Sequence, residues 1–148
     1  MKKSKISIVK DFVRQINPDY RVKYSNQFEC DPLEEIVYIN FKHAEDANDL
    51  FSKFCQEQFG KSYNAVLISL LHEIGHIETF DDDLDEERGN RYALLQYLWD
   101  NSDIDRETLH FEYFRLPSEI EATTWAVEFI ENNAEMCKNF LKMLDISA

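Results

Sequence analysis

Two histidines with a glutamate between them are the residues of this sequence that could do chemistry together. Residues 67–80 read LISLLHEIGHIETF, so His72 and His76 are four residues apart and Glu73 follows the first histidine. On a helix this spacing rotates one imidazole by only about 40° from the other, so both point to the same side. The HExxH pattern supplies two of the three protein ligands of an open zinc site.

Glu73 is the candidate general base of such a site. It is rotated by about 100° from His72, so it can reach water on the free position of the metal more readily than the metal itself. Zinc lowers the pKa of that water to roughly 7, and a carboxylate can take its proton as it attacks a carbonyl. The pattern therefore predicts metal-assisted hydrolysis.

The alternative for the same segment is a core helix whose two histidines are merely hydrogen-bonded. Its aliphatic residues predict burial: Leu67, Ile68, Leu70, Leu71, Ile74 and Ile77. Gly75 within the helix costs about 1 kcal/mol relative to alanine, which is reasonable where another chain segment or a substrate comes close. We favour the zinc site.

The third zinc ligand is sought among the acids downstream. A metzincin arrangement would have glycine at position 79 and a ligand at 82, where this sequence has Thr79 and Asp82. A gluzincin arrangement takes a glutamate from a later helix. Residues 116–130, LPSEIEATTWAVEFI, offer Glu119 and Glu121.

Helical phase favours Glu119 over Glu121 but leaves both open. Glu119 lies three and seven residues before Ala122 and Ala126, near the face expected to pack, and small residues there allow a close helix approach. Glu121 points further away, and it can form an S-x-x-E capping box with Ser118. Glu119 could instead be only a first-turn acid that complements the helix dipole.

A hydrolytic site also needs a hydrogen-bond donor for the charge that develops on the substrate oxygen. His110 and Tyr113 lie just before the glutamate helix and are the catalytic candidates for this role. Tyr92 and Tyr97 are weaker candidates for the same role.

Composition and charge exclude several other classes of protein. The 148 residues fit one domain, 1–148, with a hydrophobic core. The formal net charge of −13 repels phosphate backbones, so we expect no nucleic-acid partner. No apolar run approaches the roughly 20 residues of a membrane span. The first residues, MKKSKISIVKDFV, contain too many charges for a signal peptide.

The cysteines agree with a reducing compartment. Cys30, Cys55 and Cys137 are odd in number, scattered, and without a CxxC pattern. A disulfide framework or a thiolate zinc site is therefore not expected. Together with the absence of a signal peptide or membrane span, this predicts a cytoplasmic protein.

Hydrophobic spacing predicts a mostly helical α+β fold. Strand-like residues are confined to 20–41, where we expect a small sheet of two or three strands beside the HExxH helix. Residues 81–90, DDDLDEERGN, are expected to form an acidic connector, a solvated loop and helix N-terminus in preference to a calcium loop. Helices are predicted over residues 4–17, 45–59, 62–79, 87–100, 105–115, 117–132 and 134–144.

The two motifs together resemble the minimal gluzincins of the ImmA/IrrE type. In that family a HE[LI]GH helix is followed by an ExEAxxFA helix. Here HEIGH is followed by ExxAxxWA, and the similarity extends over residues 35–130. It implies a zincin-like metallopeptidase domain with a small sheet along its cleft. The implied roles are zinc ligands for His72 and His76, general base for Glu73, and third ligand for Glu119 or Glu121.

The chain departs from that family at three points. His76 and Glu119 are separated by 42 residues, which the extra helix at 87–100 would fill. VEFIENN stands where LLxP is usual, and no helix-turn-helix partner is present. Family members are often carried by phages, and some cleave repressor proteins.

The sequence thus predicts a metallopeptidase with Zn²⁺ as cofactor and a protein or peptide, such as a regulatory protein, as substrate. A rival hypothesis is a non-enzymatic acidic protein with a structural or vestigial zinc site that binds a basic partner. Substrate identity and oligomeric state do not follow from the sequence.

Overall fold

The computed structural model describes residues 3–146, of which residues 43–49 and 146 are described by their backbone alone. These residues form a mostly helical α+β fold with a small mixed sheet, which confirms the predicted class. Every helix among the described residues is too short or too polar to cross a lipid bilayer. The elements in chain order are α1 (Lys5–Ile16), β1 (Arg21–Tyr24), β2 (Glu29–Asp31), β3 (Ile36–Ile39), α2 (Phe41–Phe59), α3 (Ala65–Glu78), α4 (Asp82–Asn101), α5 (Arg106–Phe114), α6 (Pro117–Asn132) and α7 (Ala134–Ile146).

The sheet has the order β1-β3-β2, with β1 parallel and β2 antiparallel to the central strand. The β-branched residues of β3 pack into the core, and Val37 is fully buried opposite Val22 on one side and Cys30 on the other. The Asp31 side chain accepts hydrogen bonds from the backbone amides of residues 33 and 34, which turns the chain from β2 into β3. Because β2 pairs only with β3 in this order, it is an edge strand, and it packs against α3.

The helices α3 and α6 approach each other to backbone contact. A Cβ atom at Gly75 would lie 3.0 Å from both the carbonyl carbon and the Cα of Ala122, and nearer still to the Ala122 carbonyl oxygen. Ala122 and Ala126 are fully buried on the facing side of α6. The chain segment that makes a glycine necessary at position 75 is therefore α6, since any side chain there would separate the two helices.

The acidic connector at 81–90 contains the predicted helix N-terminus, but the solvated loop predicted before residue 87 is wrong, because α4 already begins at Asp82. The carboxylate of Asp81 caps this helix by accepting from the amides of Asp83 and Leu84. The acids of the first turn complement the positive end of the helix dipole. The run of acids is thus a helix start, and α4 extends five residues further toward the HExxH helix than predicted.

The capping box predicted for Ser118 and Glu121 is also wrong. α6 begins at Pro117 with Leu116 as its N-cap, and no side chain caps it. Proline at the first helical position fixes the backbone and has no amide to satisfy. Ser118 therefore lies inside the first turn, and its hydroxyl oxygen is buried without a hydrogen-bond partner among the described residues.

Gly75→Ala tests the backbone contact between α3 and α6. The added methyl group overlaps Ala122, so we expect the free energy of unfolding to fall by about 1–3 kcal/mol. Gly89→Ala, in the exposed part of α4 where a Cβ meets no atom within 4 Å, is the matched control. It should gain about 0.5–1 kcal/mol because alanine favours the helix. Urea unfolding followed by circular dichroism measures both, and equal stability of the two variants would contradict the contact.

Candidate metal centre

Three side chains from α3 and α6 converge on one point. His76 Nε2 lies 2.8 Å from Glu119 Oε2, His72 Nε2 lies 3.4 Å from Glu119 Oε1, and the two Nε2 atoms are 3.1 Å apart. His72 and Glu119 are buried, with 8% and 3% of their surfaces exposed. This buried group could bind a metal ion.

The geometry of the group fits a metal ion. A tetrahedral divalent ion with ligand distances of about 2.0–2.2 Å holds its ligand atoms roughly 3.3–3.6 Å apart. The separations among the donor atoms of the three side chains, which include both oxygens of Glu119, are 2.8–3.4 Å and so lie near or slightly below that range. Two imidazoles and a carboxylate suit several divalent transition metals.

Thr123 fixes the tautomer of His72. Its hydroxyl donates to the backbone carbonyl of Glu119 at 3.0 Å, so its only proton is used there. His72 Nδ1, 2.9 Å from the same oxygen, must therefore be the donor in that contact. With the proton on Nδ1, neutral His72 directs the lone pair of Nε2 toward Glu119 and His76, which is the state a metal requires.

Glu119 and His72 stabilise each other's charged forms when no metal is bound. Burial alone would raise the pKa of the Glu119 carboxyl, but its hydrogen bonds to His72 and His76 outweigh burial, and the net pKa lies well below the usual range. Burial would lower the pKa of His72, yet the hydrogen bond and the charge of Glu119 raise it above 6.5. The two groups thus form a buried ion pair.

Glu73 lies beside this group on α3 and is half-buried. Burial raises the pKa of the Glu73 carboxyl, while the two imidazoles oppose the rise. The Cys30 thiol on β2 lies close to the same carboxyl, and burial together with the Glu73 charge raises the pKa of Cys30. The edge strand therefore touches the candidate base directly.

The group lies on the floor of a cleft with a volume of about 1010 Å³. Residues 27–33, which include β2, line the cleft together with residues of α4 and α5. His110 and Tyr113 both line the cleft, and His110 Nδ1 donates to the Arg106 carbonyl at 2.9 Å. Burial and the charge of Glu119 raise the pKa of Tyr113, whose phenol is also hydrogen-bonded to Arg88.

Other predicted residues lie away from the three-ligand group. Glu121 is exposed and borders a separate shallow pocket beside Trp125. Asp82 is exposed at the start of α4. Tyr97 is 62% exposed and does not line the cleft, whereas Tyr92 does. The group that could hold a metal therefore contains Glu119 and not Glu121 or Asp82.

Comparisons of the chain with models of protein families, with curated proteins and with solved structures find no match. A functional assignment thus depends on the chemistry of the residues around the metal centre and along its cleft.

Three residues of this site were not anticipated from the sequence. Thr123 could have been found, since it lies one helical turn after Glu119 and on the same face. Cys30 and Arg88 gave no signal, because the strand that carries Cys30 and the α4 turn that carries Arg88 reach the cleft only through the tertiary fold.

Thr123→Val removes the acceptor for His72 Nδ1–H with almost no change in volume. We expect metal affinity to fall by about 10- to 100-fold, as is typical when the partner of a ligating histidine is lost. Thr123→Ser keeps the hydroxyl and should retain most of the affinity. Competition for zinc against a chromophoric chelator measures both, and equal affinities of the two variants would show that the hydroxyl does not orient His72.

The metal-free ion pair predicts a pH dependence. The contribution of Glu119 to stability is present above about pH 4.5 and is lost as pH falls through its lowered pKa. The contribution of His72 is present below about pH 6.5 and is lost as pH rises through its raised pKa. The pair thus stabilises the metal-free protein most strongly between about pH 4.5 and 6.5.

A metal ion must displace the proton from His72, so the rise in Tm caused by stoichiometric zinc should increase as pH is raised above about 6.5. Thermal unfolding with zinc and with a chelator, compared over that range, measures the rise. A zinc-induced shift that is the same at every pH would contradict the ion pair.

Proposed function

We propose that the chain is a zinc-dependent metallopeptidase. The observation that carries this proposal is the convergence of His72, His76 and Glu119 on the floor of an open cleft, with the carboxyl of Glu73 beside them. Two imidazoles and one carboxylate are a ligand set of catalytic zinc sites, which keep one position open. Structural zinc sites are instead closed by four protein ligands, mostly cysteine and histidine. The resemblance to gluzincins of the ImmA/IrrE type agrees with this assignment.

Zinc, when bound, supplies Lewis acidity that lowers the pKa of water and polarises a carbonyl group. Three side chains of the protein support this chemistry. Glu73 takes the proton of the attacking water, for which the elevated pKa of its carboxyl is favourable near neutral pH. Thr123 holds His72 in the required tautomer. Tyr113 is preferred to His110 as the hydrogen-bond donor, because Tyr113 lines the cleft near Glu119, whereas His110 Nδ1 already donates to the Arg106 carbonyl.

A peptide substrate is favoured by the edge strand that borders the centre. β2 pairs with β3 on one side only, and residues 27–33 line the cleft. An extended peptide can add to such an edge through backbone hydrogen bonds, independently of its side chains. The contact between Cys30 and Glu73 brings this edge next to the candidate base, where a scissile carbonyl would have to lie.

Metal content and hydrolysis test the proposal in two steps. The purified protein should hold about one zinc per chain, and His72→Ala should lose it. Glu119→Gln should also lose zinc, whereas its matched control Glu121→Gln, changed in the same way on the exposed side of α6, should keep it. Atomic absorption measures the metal in all four proteins, and retention of zinc by Glu119→Gln would exclude Glu119 as the third ligand.

Glu73→Gln separates binding from catalysis. It should keep zinc and lose peptide hydrolysis by about 10²- to 10⁴-fold, because the amide cannot take the proton. Cleavage of a mixed peptide library, analysed by mass spectrometry, measures the activity. A zinc-loaded wild type that cuts no peptide and no protein would overturn the peptidase assignment and favour an acidic binding protein with a structural zinc site.

A further inference from the structure

One face of α4 lines the cleft, and its contacts with α5 leave most of its residues accessible to solvent. Its residues recur at intervals of three and four, which places them in one stripe along the helix: Asp85, Arg88, Tyr92, Leu95 and Trp99. Tyr92 is 50% and Trp99 45% exposed, and α4 contains no buried residue over its 20 residues. Leu94 and Tyr97 lie on the opposite face, since neither lines the cleft.

Stripes of this kind normally pack against another helix or a sheet. In this protein the stripe faces the cleft that contains the metal centre. The segment of residues 27–33 also contributes apolar residues to the cleft, of which Leu33 is 78% exposed. The groove beside the metal centre therefore offers apolar surface on both α4 and the segment that contains β2.

The position of the stripe relative to the centre can be measured along α4. The Tyr92 ring lies edge-to-face with that of Tyr113, with 5.6 Å between centroids, and the charge of Glu119 reaches Tyr113. Tyr92 thus lies near the level of the metal centre. Trp99 is seven residues further on, about 10 Å along the helix, which is the length of about three residues of extended peptide.

The charges around the groove select its occupant. The acidic residues that line the groove away from the metal centre are Glu29, Asp31, Asp81 and Asp85. Its arginines are Arg88 and Arg106, and Arg88 is paired with Asp85 at 2.9 Å. The net charge of the whole chain is −13. A second copy of this chain would be repelled, whereas a segment with lysine or arginine would be attracted.

We propose that the α4 stripe is the substrate-binding wall of the cleft. Its ligand is an extended polypeptide segment that carries basic residues and a bulky apolar side chain about three residues from the bond that is cut. The position of that side chain rests on the proposed function, because it is counted from the metal centre. The apolar side chain packs against Leu95 and Trp99, and the basic residues interact with the acids of the groove.

Trp99 can report binding without any cleavage. The chain has two tryptophans, and Trp125 lies on α6 stacked against Phe129. The double variant Glu73→Gln, Trp125→Phe, loaded with zinc, leaves Trp99 as the single fluorophore. Three synthetic peptides of equal length serve as probes: one with leucine flanked by lysines, one with leucine flanked by glutamates, and one with serine flanked by lysines.

The leucine–lysine peptide should shift the Trp99 emission to the blue and saturate. The other two peptides should bind at least about 10-fold more weakly. Adding Leu95→Ala should weaken binding of the first peptide by roughly 10-fold. The matched change Leu94→Ala, on the opposite face of the same helix, should leave binding unchanged.

The failures of this inference and of the peptidase proposal are distinguishable. The substrate wall would be overturned if Trp99 responded equally to all three peptides, or if Leu94→Ala and Leu95→Ala weakened binding equally. If the wild type nevertheless hydrolysed peptides, the peptidase proposal would still hold. A selective Trp99 response of the reporter variant, together with no hydrolysis by the zinc-loaded wild type, would support the wall as a peptide-binding surface and overturn the peptidase proposal. An emission shift that follows protein concentration without peptide would identify a second copy as the occupant and overturn the inference.

Discussion

The backbone contact between α3 and α6 is the constraint on which the candidate metal centre depends. Gly75 has no side chain, and the carbonyl of Ala122 occupies the space where one would lie. Only at this separation can a carboxylate on α6 reach two imidazoles on α3. The same approach brings Thr123 to His72 Nδ1, so one contact sets both the ligands and the tautomer of one of them.

The sequence predicted what is encoded locally. The HExxH spacing placed two imidazoles on one side of α3, and helical phase favoured Glu119 over Glu121 as the residue facing them. The start of α4 was missed, because a run of acids suggests a solvated loop unless Asp81 is recognised as its cap. Cys30 and Arg88 could not be found, since their places depend on how the sheet and α4 fold around α3, which no spacing along the chain records.

The centre places a carboxylate and an imidazole in the core, where an isolated charge is costly. Glu119 lies against both His72 and His76, so removing Glu119 would leave His72 buried without a carboxylate partner. Glu119 and His72 are therefore coupled to the stability of the fold. An ion held only by the folded arrangement would add its binding energy to the free energy of unfolding.

The lack of buried residues in α4 has a consequence for motion. Segments with few buried contacts open at low free energy, while the packed core stays closed. Amide hydrogens of α4 should consequently exchange with solvent sooner than those of α3 and α6. If α4 moves while α3 and α6 stay rigid, the groove can accept side chains of different sizes without disturbing His72, His76 and Glu119. The protein would then select a chemical class of peptide segment and not one sequence.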